Sequence, residues 1–248
     1  SVNFCSLEFI FIFLPLFVLI HGISQPKFKN AVLFFGSIVF YYLASGGEWH
    51  AMFWLIISVF ANYFSAILMN VFRGHLKTGV FIVSITANAA ALLTFKYFTP
   101  AVNMFSASLP DTLTSLRVVL PLGFSFYIFK CISYLHQVYS GKVKAELSLI
   151  DFGAYITLFP QVTMGPIQTY SDFRPALKRR TVTVAKVNEG LYEFILGLGL
   201  KTVFANQLAA VWNGVETIGY DSISTPLAWL GVLAFTLQLY FDFSGYSD

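Results

Sequence analysis

Between Ala51 and Phe72 the chain reads AMFWLIISVFANYFSAILMNVF, without one formally charged side chain. A helix of about 20 apolar residues crosses roughly 30 Å of hydrocarbon. Similar apolar runs recur at Leu7–Ile23, Ala31–Gly46, Gly79–Phe98, Val118–Val138, Leu191–Ala210 and Pro226–Phe243, the second of them short enough to lie tilted or partly interfacial. Composition agrees: 57% of residues are hydrophobic and 11% charged, where soluble domains carry about 25% charged residues. Too few charges remain to build a water-facing surface, so the solvent is mainly lipid. The expected fold class is an all-α polytopic membrane protein of about seven transmembrane helices, in a single membrane domain over residues 1–248.

The first run lacks the basic leader and small-residue cleavage site of a signal peptide, and reads as the first membrane helix. Ser1 is not an initiator Met, so the chain is expected to start inside a longer reading frame.

Loop charges set the orientation, because basic residues accumulate on the cytoplasmic side. Lys27 and Lys29 follow the first run, Glu48 the second, and Arg73 and Lys77 the third. Asp111 and Arg117 balance after the fourth, and Lys142 and Lys144 follow the fifth. The alternation predicts an outside N-terminus with the basic loops in the cytoplasm.

Leu147–Tyr170 breaks this alternation. It is long enough to span, yet Lys144 precedes it and Arg174, Lys178, Arg179, Arg180 and Lys186 follow it. Both flanks therefore belong in the cytoplasm, which one crossing forbids. Pro160 removes a backbone donor, and Gly165-Pro166 permits a sharp turn. The segment reads as a re-entrant helical hairpin. Irregular backbone at membrane depth survives where it packs in protein or lines a wet cavity. Two short interfacial helices joined at a proline are the competing reading.

Charges inside apolar runs are costly and point to function. Lys130 lies deep in the fifth run and is a candidate cavity-facing cation for an anionic substrate group, or a snorkelling side chain. For Lys201, near the middle of its run, snorkelling is the favoured reading. The terminal string YFDFSGYSD places Asp242 four residues before Tyr246, and Ser244 four before Asp248. On a continuing helix each pair shares a face. His21, His50, His75 and His136 all fall at run ends or in loops, away from any plausible nucleophile. Cys5 and Cys131 sit within apolar sequence as packed thiols. There is no GxSxG elbow, P-loop, CxxC or HExxH, and no basic stretch interleaved with stacking aromatics. Cofactor, metal and nucleic-acid binding are accordingly not expected.

Four strings in order resemble the membrane-bound O-acyltransferase family, in its alginate O-acetyltransferase-like branch. They are LPLGFSFYIFKCISYLHQVYSGK (Leu120–Lys142), LFPQVTMGPIQTYSDFRPAL (Leu158–Leu177), GLGLKTVFANQLA (Gly197–Ala209) and YFDFSGYSD (Tyr240–Asp248). The chain departs from the family at Gln137 and Asn206, where acids are usual, and at Leu200, often Lys. The resemblance implies the N-terminal half of an acyltransferase, with the catalytic histidine expected downstream of Asp248 and no catalytic residue here. It also implies a cytoplasmic thioester donor, acyl-CoA or an acyl carrier. The acyl group, acetyl in this branch, would pass through a tunnel to an extracytoplasmic polysaccharide or a relay acyltransferase. Pro160, Gln161, Gly165 and Pro166 from the hairpin, with Asp242, Ser244, Tyr246 and Asp248 from the last helix, are the expected tunnel-lining residues, Lys130 with them.

D-alanyl transfer to teichoic acid is a neighbouring alternative within the family. A small-molecule transporter or channel also suits broken helices and midplane charges, but no second broken segment repeats the first. A non-catalytic scaffold docking an extracytoplasmic enzyme would want longer loops.

Overall fold

The computed structural model describes residues 4–104, 119–178, 183–219 and 222–247, with backbone alone over 99–104. The expected outer loop residues Asp111 and Arg117, together with Arg179, Arg180, Asp221 and Asp248, lie outside the described residues. All regular secondary structure among the described residues is helical, with no strand among them. They fall into two compact units, Ser1–Arg179 and Arg180–Asp248.

The first unit holds α1 (Phe9–Ile23), α2 (Lys29–Ala44), α3 (Trp49–Val71), α4 (Gly74–Met104), α5 (Phe124–Tyr139), α6 (Leu149–Thr157), the single turn α7 (Phe159–Val162) and α8 (Tyr170–Lys178). The second holds α9 (Val184–Ile218) and α10 (Thr225–Ser247).

Among the described residues four helices are long and apolar enough to cross a membrane: α3, α4 over Gly74–Phe98, α9 and α10. This is fewer than the seven runs counted in the sequence. The expected spans Ala31–Gly46 and Val118–Val138 become helices of 16 residues, about 24 Å at 1.5 Å per residue. The lead-in to α5 is not helical, because Pro121 lacks an N–H and Gly123 has φ +65°. Conversely α4 starts at Gly74, which draws Lys77 from a loop into the first helical turn. Large apolar side chains such as Phe11, Leu19, Phe64, Val83, Trp229 and Leu233 stand exposed on the outer faces, as a lipid-solvated surface requires.

The core of the first unit is aromatic. Phe9, Phe13 and Phe17 recur every four residues on α1 and meet Phe40 and Phe159 at centroid distances of 5.1 to 6.2 Å. Between α3 and α4 the buried amides of Asn62 and Asn88 exchange hydrogen bonds of 3.2 and 2.8 Å. Each also donates to the carbonyl four residues back, Ser58 and Ser84, at 2.8 Å. Two amides that satisfy each other pair these helices at one register.

The broken segment follows from Pro160. Its ring would meet the carbonyl of Ile156 in a continuous helix. α6 therefore stops at Thr157, and Leu158 swings out of helical geometry (φ −43°, ψ 113°). The freed N–H of Phe159 donates to Ser37 Oγ on α2 at 3.1 Å, so the break leaves no orphaned donor there. Residues 151–157 are all buried. Gly153 lets α2 approach, since an added Cβ would lie 2.5 Å from the Phe34 ring.

Candidate functional site

In the first unit the broken segment returns to where it began. Tyr170 donates its hydroxyl to Glu146 Oε2 at 2.6 Å. The Glu146 N–H donates to Tyr134 Oη at 2.8 Å, and Tyr170 packs edge-on against Tyr134 and Tyr155. Glu146 is buried at 8% exposure, with Lys178 at 3.7 Å and Arg174 at 3.9 Å. Lys178 also binds Asp151 at 2.9 Å, and Asp151 accepts from Asn30 at 2.8 Å. The Asp151 carboxylate holds the Lys178 ammonium above its usual pKa, and the Thr169 hydroxyl holds Asp172 below the usual carboxylate range. Basic residues flanking the segment thus converge with Glu146 and Asp151 at its mouth. Sequence reading named the bases and missed Glu146, Tyr134 and Tyr170. The signal lay in a Glu and a Tyr bracketing the apolar run.

Above that mouth sits Lys130. It is 1% exposed. Its ammonium donates to the Tyr155 carbonyl and, at 3.3 Å, to Gln161 Oε1, and lies 4.6 Å from the Tyr155 ring centre. No carboxylate pairs with it among the described residues. Snorkelling is excluded, because the head group itself is enclosed. Gln161 Nε2 donates to Gln168 Oε1 at 3.3 Å, and Tyr155 Oη to the Gln168 carbonyl at 2.9 Å. A buried amine is thereby tied by neutral dipoles to both arms of the segment. Such a group can donate to an anionic or carbonyl oxygen.

Of the other predicted residues, Gly165 is buried with φ +120°, while Pro160 and Pro166 are exposed. Gly123 touches the same region: an added Cβ would lie 2.0 Å from the Val162 carbonyl oxygen. Gln137, where an acid is usual, accepts from the Ser171 N–H at 3.1 Å, a role that needs an oxygen and no charge.

In the second unit α10 continues helically through Ser247, so Asp242 and Tyr246 do share a face. Asp242 pairs with Lys201, which overturns the snorkelling reading of that lysine. Lys201 sits in a π-helical stretch, Leu200–Ala205, inside α9, and a π-bulge redirects side chains by widening one turn. Gly245 lies against the α9 backbone, where an added Cβ would be 2.6 Å from the Gly197 carbonyl oxygen. The glycine of DFSGYSD thus lets two helices touch. Ser244 is half-buried. His50 pairs with Glu48 at 3.4 Å, and His136 lies 6.4 Å from the Phe81 ring. Among the described residues no cluster could hold a metal ion.

Several apolar helices of membrane length define a multi-pass membrane protein. No protein-family model matches the chain. It is 38% identical over 248 residues to the "Probable alginate O-acetylase AlgI" of Pseudomonas fluorescens, covering 99% of this chain and 47% of the relative. It is 27% identical over 278 residues to the "Peptidoglycan O-acetyltransferase" of Helicobacter pylori, covering 97% and 51%. The "Teichoic acid D-alanyltransferase" of Bacillus subtilis matches 51% of the chain at 28% identity. These similarities accord with the resemblance to the membrane-bound O-acyltransferase family read from the four sequence strings. The chain spans about half the length of the curated relatives it matches over nearly its whole length.

Proposed function

We propose that the chain is part of a membrane O-acyltransferase that moves an acetyl group from a cytoplasmic thioester, acyl-CoA or an acyl carrier, to an extracytoplasmic polysaccharide or a relay acyltransferase. What carries this reading is the similarity to alginate O-acetylases over 99% of the chain. The match to a D-alanyltransferase covers half the chain, which favours acetyl over D-alanyl.

In this reading about seven helices cross the bacterial inner membrane with the N-terminus outside, and residues 147–170 enter from the cytoplasm and return. The contact between Glu146 and Tyr170 supports the return. α6 has nine residues, about 14 Å long, which suits half a bilayer. Lys130, Pro160, Gln161, Gly165 and Pro166 line one part of the acyl passage; Asp242, Ser244, Tyr246 and Asp248 line another. The Lys130 ammonium offers its charge to the acyl carbonyl oxygen or to a phosphate of the donor. None of the four histidines is assigned as the base.

Deleting the gene in its source cell and measuring ester-linked acetate on surface polysaccharide tests the reading. Loss of the ester is expected, and an unchanged acetate content overturns it.

A further inference from the structure

Where α3 ends and α4 and α5 meet, the first unit holds an open groove of about 370 Å³, with Arg73 and Lys144 exposed and Lys77 half-buried. Arg73, Lys77 and Lys144 line it beside the apolar Met69, Phe72 and Val138, and no acidic residue does. None of these three cations has a salt bridge among the described residues. Lys77 Nζ donates to the Tyr139 carbonyl at 2.8 Å and lies 5.4 Å from the Tyr139 ring centre. An ammonium has three donors, so two remain. Gly74, the first residue of the 31-residue α4, also lines the groove, which adds the positive end of a helix dipole.

We infer that this groove binds a phosphate ester anion. Three cations held together without a counter-charge repel one another, and an entering anion relieves that repulsion. A phosphate matches the donors, because its oxygens accept a guanidinium fork and two ammonium groups at once. The apolar lining beside the charges favours an ester with a carbon substituent over a fully hydrated ion. Two sources share this chemistry, an anionic phospholipid headgroup and a soluble organic phosphate. Basic pockets between membrane helices at the cytoplasmic face bind such headgroups. The inference rests on the multi-pass reading and is independent of acyl transfer.

The test is titration of the protein, in phosphatidylcholine nanodiscs, with fluorescent short-chain phosphatidylglycerol. Saturable binding is expected. The Arg73→Gln/Lys144→Gln double variant should weaken it about thirtyfold, the charge-keeping Arg73→Lys/Lys144→Arg variant less than about threefold, and Lys27→Gln not measurably. Competition by glycerol 3-phosphate assigns a soluble ester as an acceptable ligand; failure to compete assigns the bilayer lipid. Unchanged affinity in the double Gln variant, or an equal loss in Lys27→Gln, overturns the site. If the double variant does not fold, wild-type Lys144 is probed by amine acylation. Protection by phosphatidylglycerol over phosphatidylcholine is expected, and equal labelling overturns the inference.

Discussion

The Tyr170 hydroxyl and the Glu146 carboxylate meet at 2.6 Å across a segment of more than twenty residues that looks, in sequence, like a membrane span. A single crossing would put its ends about 30 Å apart. The contact closes the segment on itself and places Arg174 and Lys178 beside the chain that leads into it. In a background with Cys5 and Cys131 replaced, cysteines at Lys144 and Lys178 should react with a membrane-impermeant maleimide from the same side. Labelling from opposite sides would mean the segment crosses once.

The closing contact should matter for stability. Tyr170→Phe leaves Glu146, a buried acceptor, short of one donor, at a cost of about 1–3 kcal/mol. The thermal midpoint in detergent should fall, and Glu146→Gln in the Tyr170→Phe background should cost less than it does alone. Additive losses would separate the two residues.

Gly123 is expected to tolerate no side chain. It combines φ +65° with backbone contact to Val162, 2.0 Å from where a Cβ would sit. Gly123→Ala should destabilise by about 3 kcal/mol or more, at the severe end for a single substitution. Gly141, with φ +77° and open space around it, provides the comparison: Gly141→Ala should cost about 1–2 kcal/mol. Similar losses at both sites would show that contact with Val162 is not what matters.

Lys201 and Asp242 should behave as a unit. Asp242→Asn strands a cation on an apolar helix, and Lys201→Met strands an acid, so each should lower the yield of folded protein. The double substitution should recover much of it. A double variant worse than either single one would show that each charge acts elsewhere.

Lys130 distinguishes support from function. Lys130→Met ends the desolvation of a buried amine but leaves the Tyr155 carbonyl and Gln161 Oε1 short of one donor, so the two effects on stability oppose each other. Lys130→Met should change the thermal midpoint little while lowering polysaccharide acetylation in cells by tenfold or more. Full acetylation would make it a packing residue, and collapse of the fold would make it a tether for residues 155–161.

The orders of structure visible in sequence differ by range. Chain chemistry alone determined that the molecule is helical and lipid-solvated, since the lack of charge leaves no other surface. Local stereochemistry put a break at Pro160, because a missing N–H and a ring clash act within one turn. Seven apolar runs did not translate into seven long helices, because hydropathy does not register where Pro121 and Gly123 delay a start. Partners far apart in the chain stayed hidden. Nothing local ties Lys201 to Asp242, Asn62 to Asn88 or Glu146 to Tyr170. Nor does composition tell whether Lys130 reaches the lipid surface or lies enclosed. Those outcomes depend on which helices meet and at what register. Tertiary packing decided them, because a buried polar group must find its complement wherever the fold brings one.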